Sequence, residues 1–344
     1  MPQFPGRHGW RFPFFAVLRK VGGNGVEKYL CHLGKAWLVT LFLFLSNASQ
    51  TAELPSVKPN PGDSCWRLDI AEPATEKSRL WLLALSANTR ALRHTHRDAR
   101  RIAEKLSALF VLPPERMCIL EQVSRDEFTR ALRRLAEPGG ISHNDVLVLF
   151  FSGHGAKVSD DDGDESGHGA GADPWDEIFV TADMGERPAP DDVLRDDAFS
   201  RLLAGLPTEQ VVSIFDACFS ADLHRAPVQG DVPKFTLFDS LLRGNPEQPV
   251  ITRAGTPDVG KGLVLAASQE GQLAFERPSL GGGIFTHVFL DVLEKTMGAG
   301  GKPDLIGIME KVEARVRQET EGWQRPAVRG DRRLREVLTG FTRL

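Results

Sequence analysis

An α/β fold around a central, mostly parallel sheet is predicted by three features of the sequence. Short apolar runs recur as Arg79-Leu-Trp-Leu-Leu-Ala-Leu85, Asp145-Val-Leu-Val-Leu-Phe-Phe151, Gln210-Val-Val-Ser-Ile-Phe215 and Gly262-Leu-Val-Leu-Ala-Ala-Ser268. Runs of this length without polar alternation suit strands covered on both faces. Helical spacing of apolar residues appears between them, as in Ala99, Ile102, Ala103, Leu106 and Phe110. The two patterns alternate, which is the order of parallel strands joined by helical crossovers.

Taken in order, a strand over 79–85 leads into a helix over about 91–110, and Met117–Leu120 is a short second strand. Ser124 and Glu127 are spaced as a capping box, so that the Ser hydroxyl and the Glu carboxylate each serve a free backbone N–H. Phe128, Leu132 and Leu135 form the buried stripe of that helix, and Pro138-Gly139-Gly140 stops it. A third strand, 145–151, runs into Ser152-Gly153-His154-Gly155. From Gly155 to Phe199 the chain carries 14 Asp/Glu against three Lys/Arg, with a small strand at 178–181 and a short helix from Asp196 to Leu203. The fourth core strand, 210–215, runs into Asp216-Ala217-Cys218-Phe219-Ser220. Residues 221–261 lack periodicity and are expected to form a long exposed loop or inserted hairpin. A strand over 262–268, a helix growing out of Gly281–Leu290 and a last helix over about 303–318 complete the pattern. No internal repeat or low-complexity tract is present.

With 344 residues, 41% hydrophobic and 26% charged, the chain can bury a sizeable core. Four Cys are too few for a disulfide-built scaffold. Cys65 and Cys118 can pair in an oxidising compartment; alternatively Cys118 is a small buried strand residue. The net charge of −4 conceals a basic start: beyond residue 48 there are 36 Lys/Arg against 45 Asp/Glu, or −9. An acidic body argues against nucleic acid as the main partner and suits cations or basic side chains.

Residues 1–35 are basic, Ala36–Leu45 is uncharged and apolar but short for a bilayer span, and Ser46-Asn47-Ala48 places small residues where a signal peptidase reads. This predicts a secretory leader over 1–48, cleaved after Ala48, and hence an exported, periplasmic or secreted protein. The alternatives are an uncleaved membrane anchor, which confines membrane contact to this segment, and a buried helix. Residues 49–78, rich in Pro, Ser, Glu and Lys, read as a linker into one domain over 79–344.

Chemistry gathers beyond the carboxyl ends of parallel strands, which is where His154 and Cys218 fall. A cysteine attacks as its thiolate, and a neighbouring His can take the thiol proton and return it to a leaving amine. Either residue alone would more often be structural; their joint placement is the signal. Asp216 lies two residues before Cys218 and so shares its side of an extended chain, where an acid favours a basic substrate side chain.

The stretches Ser152-Gly-His-Gly155 and Asp216-Ala-Cys-Phe-Ser220 resemble the His and Cys boxes of caspase-like cysteine peptidases, most closely the metacaspase branch, which carries an acid two residues before its nucleophile. The resemblance covers residues 79–330, including the Gly262–Ser268, Gly282–Thr286 and Gln324–Pro326 stretches. It departs from the usual pattern at Phe219 and Ala221, and at Gly167–Gly171, where His168 is a decoy for His154. It implies a caspase-like αβα sandwich and a Cys–His dyad, with Cys218 as nucleophile and His154 as general base and acid. The oxyanion would be held by the backbone N–H groups of Cys218 and Gly155. Asp216 and Asp98 would form a pocket for Arg or Lys at P1 of a protein or peptide substrate. No cofactor is implied for the chemistry. Calcium accompanies many family members, and Asp176, Asp196 and Asp197 are the expected ligands, beside Asp160, Asp162 and Asp164; no complete EF-hand is present. Self-processing is expected within 221–261, at Arg225 or Arg253. The rivals are a silent caspase-like scaffold binding a partner or metal, and a cysteine hydrolase of legumain or gingipain type with another P1 preference.

Overall fold

The computed structural model of the protein describes residues 77–159, 175–219, 230–238, 241, 260–269 and 271–343. Twelve strands lie among them. The first six are β1 (Leu80–Ser86), β2 (Met117–Glu121), β3 (Val146–Ser152), β4 (Gly155–Ser159), β5 (Trp175–Phe179) and β6 (Leu194–Arg195). The rest are β7 (Val211–Asp216), β8 (Val232–Pro233), β9 (Leu263–Ala266), β10 (Phe275–Arg277), β11 (Gly282–Gly283) and β12 (Ala327–Gly330). The helices are α1 (Thr95–Leu109), α2 (Arg125–Leu135), α3 (Asp196–Ala204), α4 (Ile284–Gly298) and α5 (Leu305–Glu319). The leader and linker expectations, with Cys65, fall outside the described residues.

Six strands form the main sheet in the order β12-β9-β7-β3-β1-β2. All neighbours are parallel except β12, which closes one edge antiparallel to β9. The αβα sandwich expected from the apolar runs is present. β1, β3 and β7 are buried along their whole length because helices cover both faces. Register sorts their side chains: Leu85, Phe151 and Phe215 stand side by side, as do the next residues Ser86, Ser152 and Asp216. Successive strand residues face opposite ways, so one face carries aromatic bulk and the other presents polar groups at the same level.

On the aromatic face, α2 and α3 close a cluster made by Phe128, Phe151, Phe179, Phe199, Phe215 and Phe219. Phe179 is its hub, meeting the other five at ring-centroid distances of 5.0–5.7 Å. The capping box that starts α2 forms as its sequence predicts, with Ser124 Oγ accepting from Glu127 N–H and the Glu127 carboxylate accepting from Ser124 N–H. On the opposite face α1 lays Ala99, Ile102, Ala103 and Leu106 against β1 and β3.

The main departure from sequence expectation concerns residues 221–261. Part of this segment is an inserted strand: β8 pairs antiparallel with β10, Lys234 is fully buried and Phe235 nearly so. The signal was absent because a strand of two residues leaves no periodicity to read. Removing the aromatic hub by Phe179→Ala is expected to lower the unfolding free energy by about 3–5 kcal/mol, measured by urea titration beside the parent protein.

Candidate active site

His154 and Cys218 follow the carboxyl ends of neighbouring strands β3 and β7, and the two loops touch through their backbones. A Cβ on Gly155 would sit 2.3 Å from the Cys218 carbonyl oxygen, so only glycine permits the approach. Both N–H groups expected to form an oxyanion hole then converge. Gly155 N–H and Cys218 N–H donate to one acceptor, the Lys234 carbonyl oxygen, at 3.0 and 3.3 Å.

The flanking chain is held as a bound peptide would be. Val232 and Pro233 pair with Glu276 and Phe275 of β10, and Lys234 N–H donates to the Ala274 carbonyl at 2.8 Å. Beyond the carbonyl, Thr236 N–H donates to the Gly155 carbonyl at 3.1 Å. Asp231 anchors the upstream end through a bidentate pair with Arg277, both contacts at 2.8 Å.

The Lys234 side chain enters a pocket built from Asp98, Ser152 and Asp216, and all four side chains are fully buried. Its Nζ lies 3.0 Å from Asp216 Oδ1 and 3.3 Å from Asp98 Oδ2, and donates to Ser152 Oγ at 2.9 Å. Ser152 passes a hydrogen bond to Asp98 Oδ2 at 2.9 Å. Thr286 Oγ1 donates to Asp216 Oδ2 at 2.6 Å, and Gly283 N–H donates to the Asp98 carboxylate at 3.0 Å. Asp98 and Asp216, 118 positions apart in sequence, therefore meet. Asp98 comes from the first turn of α1 and Asp216 from the end of β7. Ser152, Thr286, Gly283 and Lys234 were not singled out from sequence. The three glycines before α4 were the available clue, since a Cβ on Gly283 would lie 1.9 Å from Asp216 Oδ2.

One ammonium between two carboxylates leaves the buried cluster with surplus negative charge. Burial, with the neighbouring Asp216 carboxylate, raises Asp98 to about 6 against the pull of Lys234, Gly283 and Ser152. For Lys234, burial works against the ammonium, but the Asp216 and Asp98 carboxylates outweigh it and hold the group above its ordinary value. Burial lowers the His154 imidazole to about 4; the Lys234 and Arg90 charges reinforce this, while the Lys234 and Thr89 backbones oppose it. Neither His154 ring nitrogen has a hydrogen-bond partner of ordinary geometry among the described residues. Cys218 is buried and carries no disulfide, and its Sγ bonds to the Gln272 carbonyl at 2.8 Å. Cys118 is buried in β2 and is disulfide-bonded.

Of the expected calcium ligands, Asp176, Asp196 and Asp197 lie among the described residues. β6 pairs with β5, and the Arg195 guanidinium caps the buried Asp176 carboxylate. Asp196 is buried and Asp197 half-buried at the start of α3, and no group of three or more His, Cys, Asp or Glu able to hold a metal occurs among the described residues. Asp160, Asp162 and Asp164 fall outside them, as does His168.

Asp98 makes a pH signature. A carboxyl raised in the folded state adds stability below its unfolded value of 3.8, and that contribution is lost as pH rises through about 6. In a Cys218→Ala background, Asp98→Asn should therefore gain stability relative to its parent as pH rises from 4 to 7. Urea titrations of the two proteins across that range check the sign.

Comparison with known proteins identifies the family. The caspase-domain family profile matches residues 84–337. Metacaspase-1A of Neurospora crassa is 31% identical over 105 residues, covering 30% of this chain and 21% of that protein. Metacaspase-1 of Pyricularia oryzae is 30% identical over 138 residues, covering 38% of this chain and 32% of that protein. The matched stretches thus span a third or less of those relatives. Among solved structures, a protein from Geobacter sulfurreducens superposes with a TM-score of 0.48 at 17% identity, covering 75% of this chain and 97% of that one. Caspase-1 from Spodoptera frugiperda does so with a TM-score of 0.42 at 14% identity, covering 74% and 87%. With the profile spanning both boxes, every strand of the main sheet except part of β1, and all five helices, the chain belongs to the caspase-domain family, peptidase family C14.

Proposed function

We propose that the protein is a cysteine endopeptidase that cuts peptides after Lys or Arg. One observation carries this reading: the Lys234 residue lies in the cleft as the acyl half of a substrate would. Its carbonyl oxygen meets two backbone N–H groups and its ammonium meets two carboxylates. Cys218 is the nucleophile and His154 receives its proton, later returning it to the leaving amine. The N–H groups of Cys218 and Gly155 stabilise the oxyanion as charge develops on it. The chemistry runs on these groups alone. Selectivity follows from charge: an Asp at P1 would put a third carboxylate beside two buried ones, and an Asn would leave both without a counter-charge. Arg keeps the charge and adds a fork that can engage both acids.

Matched reporter peptides Asp-Val-Pro-X, with X as Lys, Arg, Asn or Asp, test this with calcium or chelator present. Cleavage after Lys and Arg should exceed that after Asn and Asp by at least about 100-fold in kcat/KM, and Cys218→Ala should abolish it. Asp216→Asn should cost about 10²–10³-fold on Lys and Arg substrates, as expected for breaking a buried charge pair. Preference for Asn or Asp would overturn the pocket assignment. Absence of cleavage from folded protein under every condition would favour a binding scaffold.

Export is proposed with this activity. The disulfide at Cys118 supports it, because such bonds persist in oxidising compartments. The protein recovered outside the cytoplasm should begin at Ser49 by intact mass, and retention of residues 1–48 would replace secretion by anchoring.

A further inference from the structure

Resting on the Lys/Arg-directed reading above, we propose that the cleft selects a second charge. Arg277 takes an acidic side chain three residues before the basic one, so that preferred substrates read Asp-x-x-Lys or Asp-x-x-Arg. The segment 231–236 is the template. Its antiparallel register with β10 sets Val232 opposite Glu276 and Pro233 opposite Phe275. Continued by one residue each way, the register sets Asp231 opposite Arg277 and Lys234 opposite Ala274. Lys234 keeps to it, since its N–H donates to the Ala274 carbonyl at 2.8 Å. At the other end, Arg277 Nε and Nη2 donate to the two Asp231 oxygens, each at 2.8 Å. That is the parallel fork of a guanidinium on a carboxylate. Directly opposed residues of paired strands are neighbours whatever the sequence between them. Any peptide that pairs with β10 and lodges its basic side chain between Asp98 and Asp216 therefore brings its residue three places upstream to Arg277.

The fold holds Arg277 in place without help from the peptide. β10 is the middle strand of the β11-β10-β8 sheet, and Arg277 pairs with Gly282 on its other side. Next to it, the buried Glu276 carboxylate accepts from Arg93 N–H and His94 N–H, each at 2.9 Å. This ties β10 to the residues that lead into α1, the helix carrying Asp98, and so fixes the spacing between the acidic pocket and Arg277. The Arg277 charge is not cancelled from behind. Its Nη2 donates to the Glu319 carbonyl at 3.3 Å, but the Glu319 carboxylate lies 3.9 Å from Nη1 and gives its closer contact, 2.9 Å, to Arg315. Asp231, with a side chain only 5% exposed, is the close counter-charge. An Asn in its place keeps the shape and loses the charge, and a Lys sets two cations together. Strand alternation sends the Asp231 and Lys234 side chains to opposite sides of the peptide, so each charge meets its own site rather than the other. Arg225 and Arg253, where self-processing is expected from sequence, lie outside the described residues and take no part in this.

Reporters X-Val-Pro-Lys, with X as Asp, Asn, Ala or Lys and acetylated so that no amino-terminal charge enters, test the proposal on the full-length protein. From Asp to Asn, kcat/KM should fall at least about tenfold, and it should fall further for Lys. The loss should lie mainly in KM, because the contact is made alike in the ground and transition states. Arg277→Gln should bring the Asp and Asn reporters to within about twofold of each other while the preference for Lys over Asn at P1 stands. Arg277→Lys keeps a cation and should leave Asp ahead of Asn. Each comparison is a ratio within one protein, which a merely structural role for Arg277 would not move, and the reporter series on the unaltered protein decides the matter even where a variant folds poorly. Equal kcat/KM for the Asp, Asn and Lys reporters, or an Asp preference that survives Arg277→Gln, would each overturn the proposal. Both would leave the peptidase reading standing. No hydrolysis of any reporter would instead defeat both.

Discussion

The site depends on one electrostatic constraint, the joint burial of Asp98 and Asp216 around a single ammonium. An ionised carboxylate withdrawn from water costs several kcal/mol unless paired and hydrogen-bonded. The fold supplies fixed donors to each acid: Thr286 for Asp216, and Gly283 and Ser152 for Asp98. Those donors leave room for one more positive charge and for nothing apolar. The cost of burial, with the Asp216 charge beside it, shows at Asp98, whose carboxyl is raised to about 6 even with the ammonium present. With the cation absent its proton affinity would rise further, so recognition of a basic side chain and proton release from Asp98 are linked.

Close backbone approach is the second requirement, and it has the same origin at both ends of the cleft. Gly155 lets the His loop rest on the Cys218 carbonyl, and Gly283 lets the start of α4 approach Asp216. Each missing Cβ brings a backbone N–H to a functional atom: Gly155 N–H to the carbonyl oxygen of Lys234, Gly283 N–H to Asp98. Donors fixed by the backbone keep their geometry without side-chain ordering, which is what stabilisation of a developing oxyanion requires. Parallel register supplies the rest. Ser152 and Asp216 are partners on adjacent strands, so the pocket wall is an extension of sheet pairing.

Much of this was legible because burial on both faces writes itself into sequence as unbroken apolar runs. The strands ending at Ser152 and Asp216 were readable within a residue or two, as was the capping box at Ser124. His154, Gly155, Cys218, Asp216 and Asp98 were nominated from motif spacing and family resemblance; Gly155 and Cys218 share the Lys234 carbonyl, and Asp98 and Asp216 share its ammonium. Lys234 was missed for a physical reason. The strand before it contributes two residues, the partners of that strand are more than 40 positions away, and a lone Lys in a patternless stretch looks solvated. Ser152 and Thr286 escaped notice because hydroxyls orienting an acid carry no spacing rule. The calcium expectation counted acidic residues but not Arg195, whose pairing with Asp176 depends on the β5–β6 turn of chain rather than on local composition.

The Lys234 carbonyl already meets two backbone N–H groups, so the reactivity of the cleft turns on proton affinity at His154. The burial that lowers His154 to about 4 weakens it as a proton acceptor. Cys218 Sγ, for its part, is bonded to the Gln272 carbonyl. Formation of the thiolate–imidazolium pair needs either water in the cleft or negative charge near His154, and both become more available once the 231–236 segment loosens.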